Sequence, residues 1–208
     1  MRNYRVPTLT IAGSDSSGGA GVQADLKTFS AIGTYGMSVI TAVTAQNTEG
    51  VFAVEELSGE IIKSQIKAVF DDIEPADVKI GMVSSPEIIV DIVNTIKKYN
   101  PSFLVVDPVM ISKSGYSLLK PEAKENLIKY LIPMAYLVTP NVPEAEEITG
   151  IKINSVTDMK LAGEKILELG PKFVLMKGGH LDGDAVDVLI GENIFHVFKS
   201  KRLNRKNT

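Results

Sequence analysis

Short apolar runs alternate with longer segments of helical period along this chain of 208 residues. Several runs, such as FLVVD and FVLMK, are almost continuously apolar, as strands buried on both faces of a sheet are. The runs predict strands at 9–12, 37–45, 78–81, 103–107, 136–139 and 173–177. The intervening segments predict helices at 20–32, 59–73, 86–99, 121–131, 143–149 and 158–169. Since parallel strands need crossover helices, this order predicts an α/β fold with a doubly wound, mainly parallel sheet.

Two features modify this alternation. Residues 51–57 follow the second strand after only a short polar turn, which predicts a small hairpin or flap. Residues 185–190 and 194–198 are separated by Gly-Glu-Asn, which predicts an antiparallel hairpin at one sheet edge. Ser58 and Ser85 precede two of the helical segments and are expected to cap them.

Composition narrows the class of protein. The 44% hydrophobic and 23% charged residues are typical of a globular chain, and the length favours one domain spanning 1–208. A net charge of −3 argues against a general nucleic-acid binder. The basic terminal segment KSKRLNRKNT is expected to be a solvent-exposed strand and the residues that follow it. The absence of cysteine excludes a disulfide framework and a thiolate zinc site. No run approaches the roughly 18 apolar residues of a membrane helix, so we expect a cytoplasmic protein.

Polar and small residues follow the predicted strands. Ligands of open α/β sheets bind beyond the carboxyl ends of the strands. The segments at these ends are Gly13-Ser14-Asp15, Gln46-Asn47-Thr48, Gly81-Met82-Val83, Asp107-Pro108-Val109, Thr139-Pro140-Asn141 and Lys177-Gly178-Gly179. Their convergence on one edge predicts a single site there.

The first of these segments opens a glycine-rich turn, IAGSDSSGGAGVQAD. The turn has no lysine where a P-loop requires one, and no acidic residue follows at the distance that a dinucleotide fingerprint requires. Two interpretations remain: a helix-entry turn whose glycines permit tight packing, or a turn whose exposed amides receive a flat ligand. Asp25, one turn into the helix, is able to accept hydrogen bonds from such a ligand, or to favour the helix dipole.

Three other positions carry candidate chemistry. Asn141 and Glu144 lie three residues apart at a helix start and offer oxygen ligands for Mg²⁺, although an acidic first turn needs no metal. Lys177 ends a buried strand before two glycines, which suits a phosphate group but also an ordinary surface turn. Asp107 is placed to hold metal-bound water or simply to form a turn before proline. The two histidines, His180 and His196, are assigned no role.

The chain contains, in this order, the motifs TIAGSDSSGGAGVQADLKTF, GMSVITAVTAQNT, KIGM, VVDPVMISKSG, VTPNVPEAEEITG and VLMKGGH. Together they closely resemble the bacterial hydroxymethylpyrimidine/phosphomethylpyrimidine kinases of thiamine biosynthesis. The resemblance covers nearly the whole chain. It implies a ribokinase-like fold, use of ATP and Mg²⁺, a pyrimidine substrate and a homodimer. The pyrimidine pocket it implies comprises Gly13, Asp25, Gln46, Met82 and Val109. The residues it implies on the nucleotide side are Asn141, Lys177 and Lys113, with Glu144 and Asp107 at the metal and Lys177 as a catalytic residue.

The family continues beyond a segment like RKNT into His-Gly-Thr-Gly-Cys-Thr or a close variant. That glycine-rich helix start forms the anion hole for the transferred phosphoryl group and carries the catalytic base. The printed sequence stops at Thr208, before this motif and the final helices, and we expect the protein to continue. Two other functions stay open: a pyridoxal or pyridoxine kinase, and a pyrimidine-binding module without catalytic activity.

Overall fold

A computed structural model describes residues 6–110, 121–179 and 184–202. The strands are β1 Pro7–Asp15, β2 Tyr35–Gln46, β3 Val51–Glu56, β4 Asp77–Ile80, β5 Phe103–Val106, β6 Leu137–Val138, β7 Phe173–Lys177, β8 Ala185–Gly191 and β9 Ile194–Ser200. The α-helices are α1 Gly21–Ile32, α2 Gly59–Phe70, α3 Pro86–Tyr99, α4 Pro121–Asn126, α5 Val142–Thr149 and α6 Val156–Leu167. A π-helical turn, Leu127–Leu131, and a 3-10 turn, Ile132–Met134, extend α4.

The nine strands form one sheet in the order β3-β2-β1-β4-β5-β6-β7-β8-β9. The strands from β2 to β7 in this order run parallel to one another, as predicted. The predicted flap is β3, which pairs antiparallel with β2, and the predicted edge hairpin is β8–β9. The described residues therefore confirm a mainly parallel sheet with antiparallel strands at both edges.

Capping residues fix where the helices begin. The hydroxyls of Ser58 and Ser85 accept hydrogen bonds from the third residue beyond them, as predicted, and the proline after Ser85 occupies the first turn of α3. The prediction was less accurate at 121–131, where a continuous α-helix was expected. The backbone changes there to a π-helical turn after Asn126. Apolar periodicity does not distinguish these two backbone forms over a few residues.

The direction of the chain changes between β1 and β4. From β1 the chain moves to β2 on one side, and it then returns to the other side of β1 to build β4 through β7. Crossovers between parallel strands are right-handed, so a reversal of direction places the helices on opposite faces of the sheet. Accordingly, α1 packs by the face of Thr10, whereas α2 and α3 pack on the face of Leu9 and Ile11. This reversal opens a crevice at the carboxyl ends of β1 and β4, the usual ligand position in such sheets.

The core lies between the sheet and α2–α6. Its first cluster joins β1, β2, β4, β5 and β6 to α2, α3 and the 127–132 segment, and its second joins β7 and β8 to α5 and α6. On the opposite face, beyond α1, Phe103 and Phe198 are each 47% exposed. No helix among the described residues is long and apolar enough to cross a membrane.

Candidate active site

The glycine-rich turn is organised around the carboxylate of Asp15. Asp15 is only 4% exposed. It accepts hydrogen bonds from the amides of Ser17, Gly19 and Ala20 at 2.8, 3.0 and 2.8 Å, and from the Ser17 hydroxyl. The amide of Gly18 donates to the Asp15 carbonyl at 3.0 Å. The amides of residues 17–20 are therefore not available to a ligand, because Asp15 already accepts their hydrogen bonds.

Close contacts beneath the turn involve two of its glycines, one against backbone and one against a side chain. Gly21 begins α1 at a φ of +56°, and a Cβ there would lie 2.2 Å from the carbonyl oxygen of Gly13. A Cβ on Gly13 would lie 2.6 Å from Cε of Met82. Gly13 and Met82 therefore meet at the carboxyl ends of β1 and β4, in the crevice where the chain reverses direction. The structure brings together these two predicted pocket residues.

Gln46 and Val109 lie on either side of this pair in strand order. The Gln46 side-chain oxygen accepts a hydrogen bond from the Thr44 hydroxyl at 3.2 Å. The backbone amide of Gln46 donates to the Ser16 hydroxyl at 2.9 Å, and this hydroxyl donates to the Gln46 carbonyl at 2.7 Å. These two bonds join β2 to the glycine-rich turn. Val109, after β5, is partly buried, and its amide donates to the Asp107 carbonyl at 2.8 Å. Both predicted pocket residues therefore lie at the expected edge.

Asp25 has protein partners that the sequence reasoning missed. Its Oδ2 accepts a hydrogen bond from the Thr10 hydroxyl at 2.6 Å and pairs with Nζ of Lys79 at 2.8 Å. Both side chains of the ion pair are about four-fifths buried, at 19% and 22% exposure. One carboxylate oxygen of Asp25 is thus committed to the interface between α1 and the sheet. Its role in binding a pyrimidine stays a prediction, carried by the other oxygen.

The second half of the site lies on β5, β6 and β7. Lys177, the last residue of β7, extends its Nζ to within 2.7 Å of Oδ1 of Asp107, and the Thr139 hydroxyl donates to the same oxygen at 3.0 Å. The backbone amide of Lys177 donates to the Pro140 carbonyl at 2.8 Å. The Lys177 side chain is 41% exposed, so it remains accessible at the edge of the sheet. The structure confirms that these separated residues converge.

Asn141 and Glu144 form a reciprocal capping box at the start of α5. The Asn141 side-chain oxygen accepts from the Glu144 amide at 2.9 Å, and Oε2 of Glu144 accepts from the Asn141 amide at 2.8 Å. Glu144 is only 3% exposed. Burial raises the pKa of Glu144 to about 7, against the lowering effects of the Asn141 amide and of Lys177. The glutamate therefore has a structural task as a helix cap whether or not it meets a metal.

This raised pKa predicts how stability varies with pH. Between about pH 4.5 and 7 the folded chain retains a proton that the unfolded chain has released, so the free energy of unfolding falls as the pH rises. The loss amounts to about 3 kcal/mol when 1.36 kcal/mol is taken for each pKa unit. Glu144→Gln keeps an acceptor for the Asn141 amide and should flatten this slope. The measurement is denaturant unfolding at pH 5, 6 and 7 with a metal chelator present.

The matched control is Glu147→Gln, which removes an exposed carboxylate from the same helix. It should leave the slope of the unmodified chain in place. A Glu144→Gln variant with an undiminished slope would show that another group causes the pH dependence.

The residues at this edge fit a cation that is held mainly by phosphate oxygens and water. The described residues contain no cluster of three or more acidic, histidine or cysteine side chains suited to a metal. Asp107 is partly exposed but already bonds Lys177, and Glu144 is enclosed in its capping box. Mg²⁺ typically keeps several waters and takes one or two carboxylates together with phosphate. The predicted nucleotide ligand Lys113 lies outside the described residues.

Other residues that support the site were not singled out from the sequence. Gln23 bonds the amide of Asp15 and the hydroxyl of Ser14, at 2.9 and 2.7 Å, and so attaches α1 to the turn. Asp187 accepts the Gly178 amide at 3.0 Å and so fixes the backbone just after Lys177. No local pattern marks these residues, because each acts on a segment that only the folded chain brings close.

A family model described as phosphomethylpyrimidine kinase matches residues 15–208. The chain belongs to this family of kinases. It is 46% identical over 202 residues to the hydroxymethylpyrimidine/phosphomethylpyrimidine kinase of Bacillus subtilis, covering 96% of this chain and 74% of that protein. It is also 48% identical over 212 residues to a thiamine biosynthesis bifunctional protein of Geobacter sulfurreducens, of which it spans 43% while 99% of this chain is covered.

Solved structures confirm the ribokinase-like fold. The phosphomethylpyrimidine kinase of Clostridium difficile 630 is 80% identical with a TM-score of 0.89, covering 94% of this chain and 85% of that one. An ADP complex of Bacillus subtilis pyridoxal kinase also has a TM-score of 0.89, at 37% identity, covering 97% of this chain and 77% of that one. The family and the fold implied by the sequence resemblance are both confirmed.

Proposed function

We propose that this protein uses MgATP to phosphorylate 4-amino-5-hydroxymethyl-2-methylpyrimidine and then its monophosphate, in thiamine biosynthesis. The observation that carries the proposal is the arrangement of two half-sites along one sheet edge. The apolar Gly13–Met82 contact lies at the reversal between β1 and β4, and the Lys177–Asp107 pair lies on β7 and β5. A flat ring and a polyphosphate could therefore bind side by side along this edge. Asp107 and Val109 both follow β5, which lies between β4 and β7 in the sheet.

The first half-site suits a small aromatic ring. Met82 offers a thioether against the buried backbone of Gly13, and thioethers contact aromatic rings favourably. Gln46 contributes an amide able to donate to and accept from the edge of an aminopyrimidine. Asp25 is proposed to use its second carboxylate oxygen for the same edge. The apolar contacts favour any flat ring, so the polar edge is what would select the pyrimidine.

The second half-site suits phosphate. Lys177 provides a positive charge, and its neighbours Gly178 and Gly179 leave the backbone uncovered by side chains. Asp107 holds the lysine side chain in a defined position before any nucleotide arrives, and the Thr139 hydroxyl in turn donates to Asp107. Asn141 lies in the loop after β6 and is joined to Lys177 by a β-bridge. It is proposed to contact the nucleotide. Asp107 and Glu144 are the carboxylates proposed to hold Mg²⁺, which would neutralise phosphate charge.

Phosphoryl transfer requires positioning and charge neutralisation more than covalent chemistry from the protein. The hydroxymethyl oxygen forms a bond to the γ-phosphorus while the bond from that phosphorus to the bridging oxygen of ADP breaks. In the second reaction an oxygen of the pyrimidine monophosphate is the acceptor. Lys177 stabilises the charge that develops on the transferred group. The family resemblance assigns the base that takes the hydroxyl proton to the glycine-rich helix start of the His-Gly-Thr-Gly-Cys-Thr motif.

The direct test supplies full-length protein with MgATP and the hydroxymethylpyrimidine, and measures ADP release and the mass of the product. Formation of the monophosphate followed by the pyrophosphate is expected. Tight pyrimidine binding measured by calorimetry, without any turnover, would instead favour a non-catalytic binding module. Absence of both would contradict the proposal.

A pyridoxal or pyridoxine kinase is the second candidate, supported by the 37% identical pyridoxal kinase structure. Both substrate classes are flat heteroaromatic rings that carry a hydroxymethyl group. Competition between the pyrimidine and pyridoxine for one limiting enzyme separates the two functions through the ratio of their kcat/KM values. We expect this ratio to favour the pyrimidine. The homodimer and the cytoplasmic location also stay proposals, and light scattering of the full-length protein tests the first.

A further inference from the structure

We propose that Asp15 is a positioning residue whose carboxylate holds turn 16–20 in the shape that keeps the pyrimidine half-site open. The inference rests on the proposed function, because it concerns the shape of the same half-site. Asp15 ends β1, two residues after Gly13, and its carboxylate points back into the turn that follows. No bound ligand is needed to explain this carboxylate, since its partners are all in the turn.

The contacts of Asp15 account for each amide from position 17 to position 20. Three of these amides donate to its carboxylate oxygens and that of Gly18 donates to its carbonyl. Successive amides that converge in this way normally make an anion-binding concavity. Here an internal carboxylate occupies that concavity. A phosphate group consequently finds no free amide among these four, although glycine-rich turns before helices commonly bind one.

The same carboxylate also satisfies one of the backbone amides left unpaired at the start of α1. Ala20 occupies the N-cap position of this helix and has no side-chain oxygen with which to cap it. Asp15 reaches across the turn and accepts the Ala20 amide at 2.8 Å instead. Its negative charge at the helix N-terminus is favourable to the helix dipole. The start of α1 is therefore joined by a hydrogen bond to a residue that lies in β1.

The protonation equilibrium of Asp15 agrees with this task. Burial alone would raise the pKa of the Asp15 carboxyl, but hydrogen bonds from Ser17, Ala20 and Gly19 lower it further than burial raises it. The carboxylate is therefore ionised wherever the folded protein is studied near neutral pH. Charge-assisted hydrogen bonds of this type are stronger than those between neutral groups.

The position of the turn links this network to the substrate. Ser16 bonds the backbone of Gln46, and Gln23 bonds Ser14, which follows Gly13. A turn of different shape would therefore displace both Gln46 and the backbone at Gly13. Neither contact touches the phosphate side, where Lys177 and Asp107 are held by each other and by Thr139. The expected defect of an Asp15 variant is therefore confined to the pyrimidine.

The first test measures amide hydrogen exchange of the full-length protein without ligands. Asp15→Asn keeps the shape of the side chain but replaces one acceptor oxygen by an NH₂ group that faces other donors. Exchange of the amides of Ser17, Gly19 and Ala20 should become at least about tenfold faster, because their hydrogen bonds to the charged carboxylate are lost. Asp91→Asn is the matched control. It removes a partly exposed carboxylate of α3 that pairs with Lys63 of α2. Both helices lie on the face of the sheet opposite α1, so this exchange should be unchanged.

The second test is kinetic and separates positioning from general damage. Asp15→Asn should raise the KM for the pyrimidine about tenfold, while the KM for ATP stays within about twofold of the unmodified protein. Ser17→Ala, which removes only the hydroxyl donor, should raise the pyrimidine KM about two- to threefold. It carries the test if Asp15→Asn does not fold.

Unchanged exchange in Asp15→Asn would overturn the inference, and so would equal increases in both KM values. Faster exchange with an unchanged pyrimidine KM would also overturn it, because the turn would then be ordered by Asp15 without positioning substrate. If the unmodified protein phosphorylates no pyrimidine, the proposed function fails separately. The same comparison is then made with the Kd or KM of pyridoxine, and a selective loss would still support Asp15, whereas no selective loss would refute it.

Discussion

Lys177→Ala is expected to lower kcat about 100-fold while changing the KM for the pyrimidine less than about threefold. Removal of one preorganised group that stabilises developing charge typically costs catalysis this much. The Lys177 ammonium is held by Asp107 at the edge of the sheet, on the side away from the glycine-rich turn. Its loss should therefore be felt when charge develops on the transferred phosphoryl group, and little when the ring binds. Steady-state kinetics of ADP release, with each substrate varied in turn, measure this split.

The matched control for Lys177→Ala is Lys172→Ala. Lys172 lies one residue before β7, at the opposite end of the strand that Lys177 ends, and its ammonium group lies over the Tyr136 ring. It removes one lysine from the same element without touching the proposed site, and its kcat should stay within about twofold of the unmodified protein. A drop of similar size in both variants, or an unchanged kcat for Lys177→Ala, would contradict a catalytic role for Lys177.

Asp25→Ala is expected to raise the KM for the pyrimidine at least about tenfold, with the KM for ATP within about twofold. A buried polar edge that loses one charged acceptor typically loses affinity of this order. The structure complicates the interpretation, since the same carboxylate pairs with Lys79 and accepts from Thr10. Truncation also leaves the Lys79 ammonium without this partner in a partly buried place, which lowers stability.

Lys79→Met separates these two effects. It removes the ion pair and keeps Asp25 with its bond from the Thr10 hydroxyl. If Asp25 binds the substrate directly, Lys79→Met should change the pyrimidine KM much less than Asp25→Ala does, although both lower the unfolding temperature. Equal effects of the two variants on KM would assign Asp25 a purely structural role. Calorimetric binding of the pyrimidine and thermal unfolding are the two measurements.

Features that depend on neighbouring residues could be predicted from the sequence, whereas contacts between remote segments could not. Helix α3 and strand β7 begin and end at the predicted residues, because caps, proline and an apolar run are local signals. The convergence of Gly13, Met82, Asp107 and Lys177 was also predictable, since the carboxyl ends of parallel strands meet at one edge. Which of the contacts formed there was not predictable. The Lys177–Asp107 pair joins residues 70 positions apart, and no pattern in the chain specifies it.

The glycine-rich turn shows the same limit. Its sequence excluded a P-loop, because the required lysine is missing, but left open what its amides bind. Asp15 was not distinguished from an ordinary turn residue, although it is the acceptor for three of those amides. Whether Asp15 accepts them depends on the direction of its side chain in the folded turn, where Gln23 also accepts the hydrogen bond of the Asp15 amide.

The sequence by itself determined the α/β architecture, the two edge hairpins, the family resemblance and the edge of the sheet on which the site lies. These follow from periodicity, turn residues and motif order, which are properties of neighbouring residues along the chain. Only the tertiary structure decided that Asp15 fills its own turn, that Asp25 is paired with Lys79, and that Glu144 is buried in a capping box with a pKa near 7. Each depends on burial and on distances between remote segments, which fix hydrogen-bond partners and pKa values.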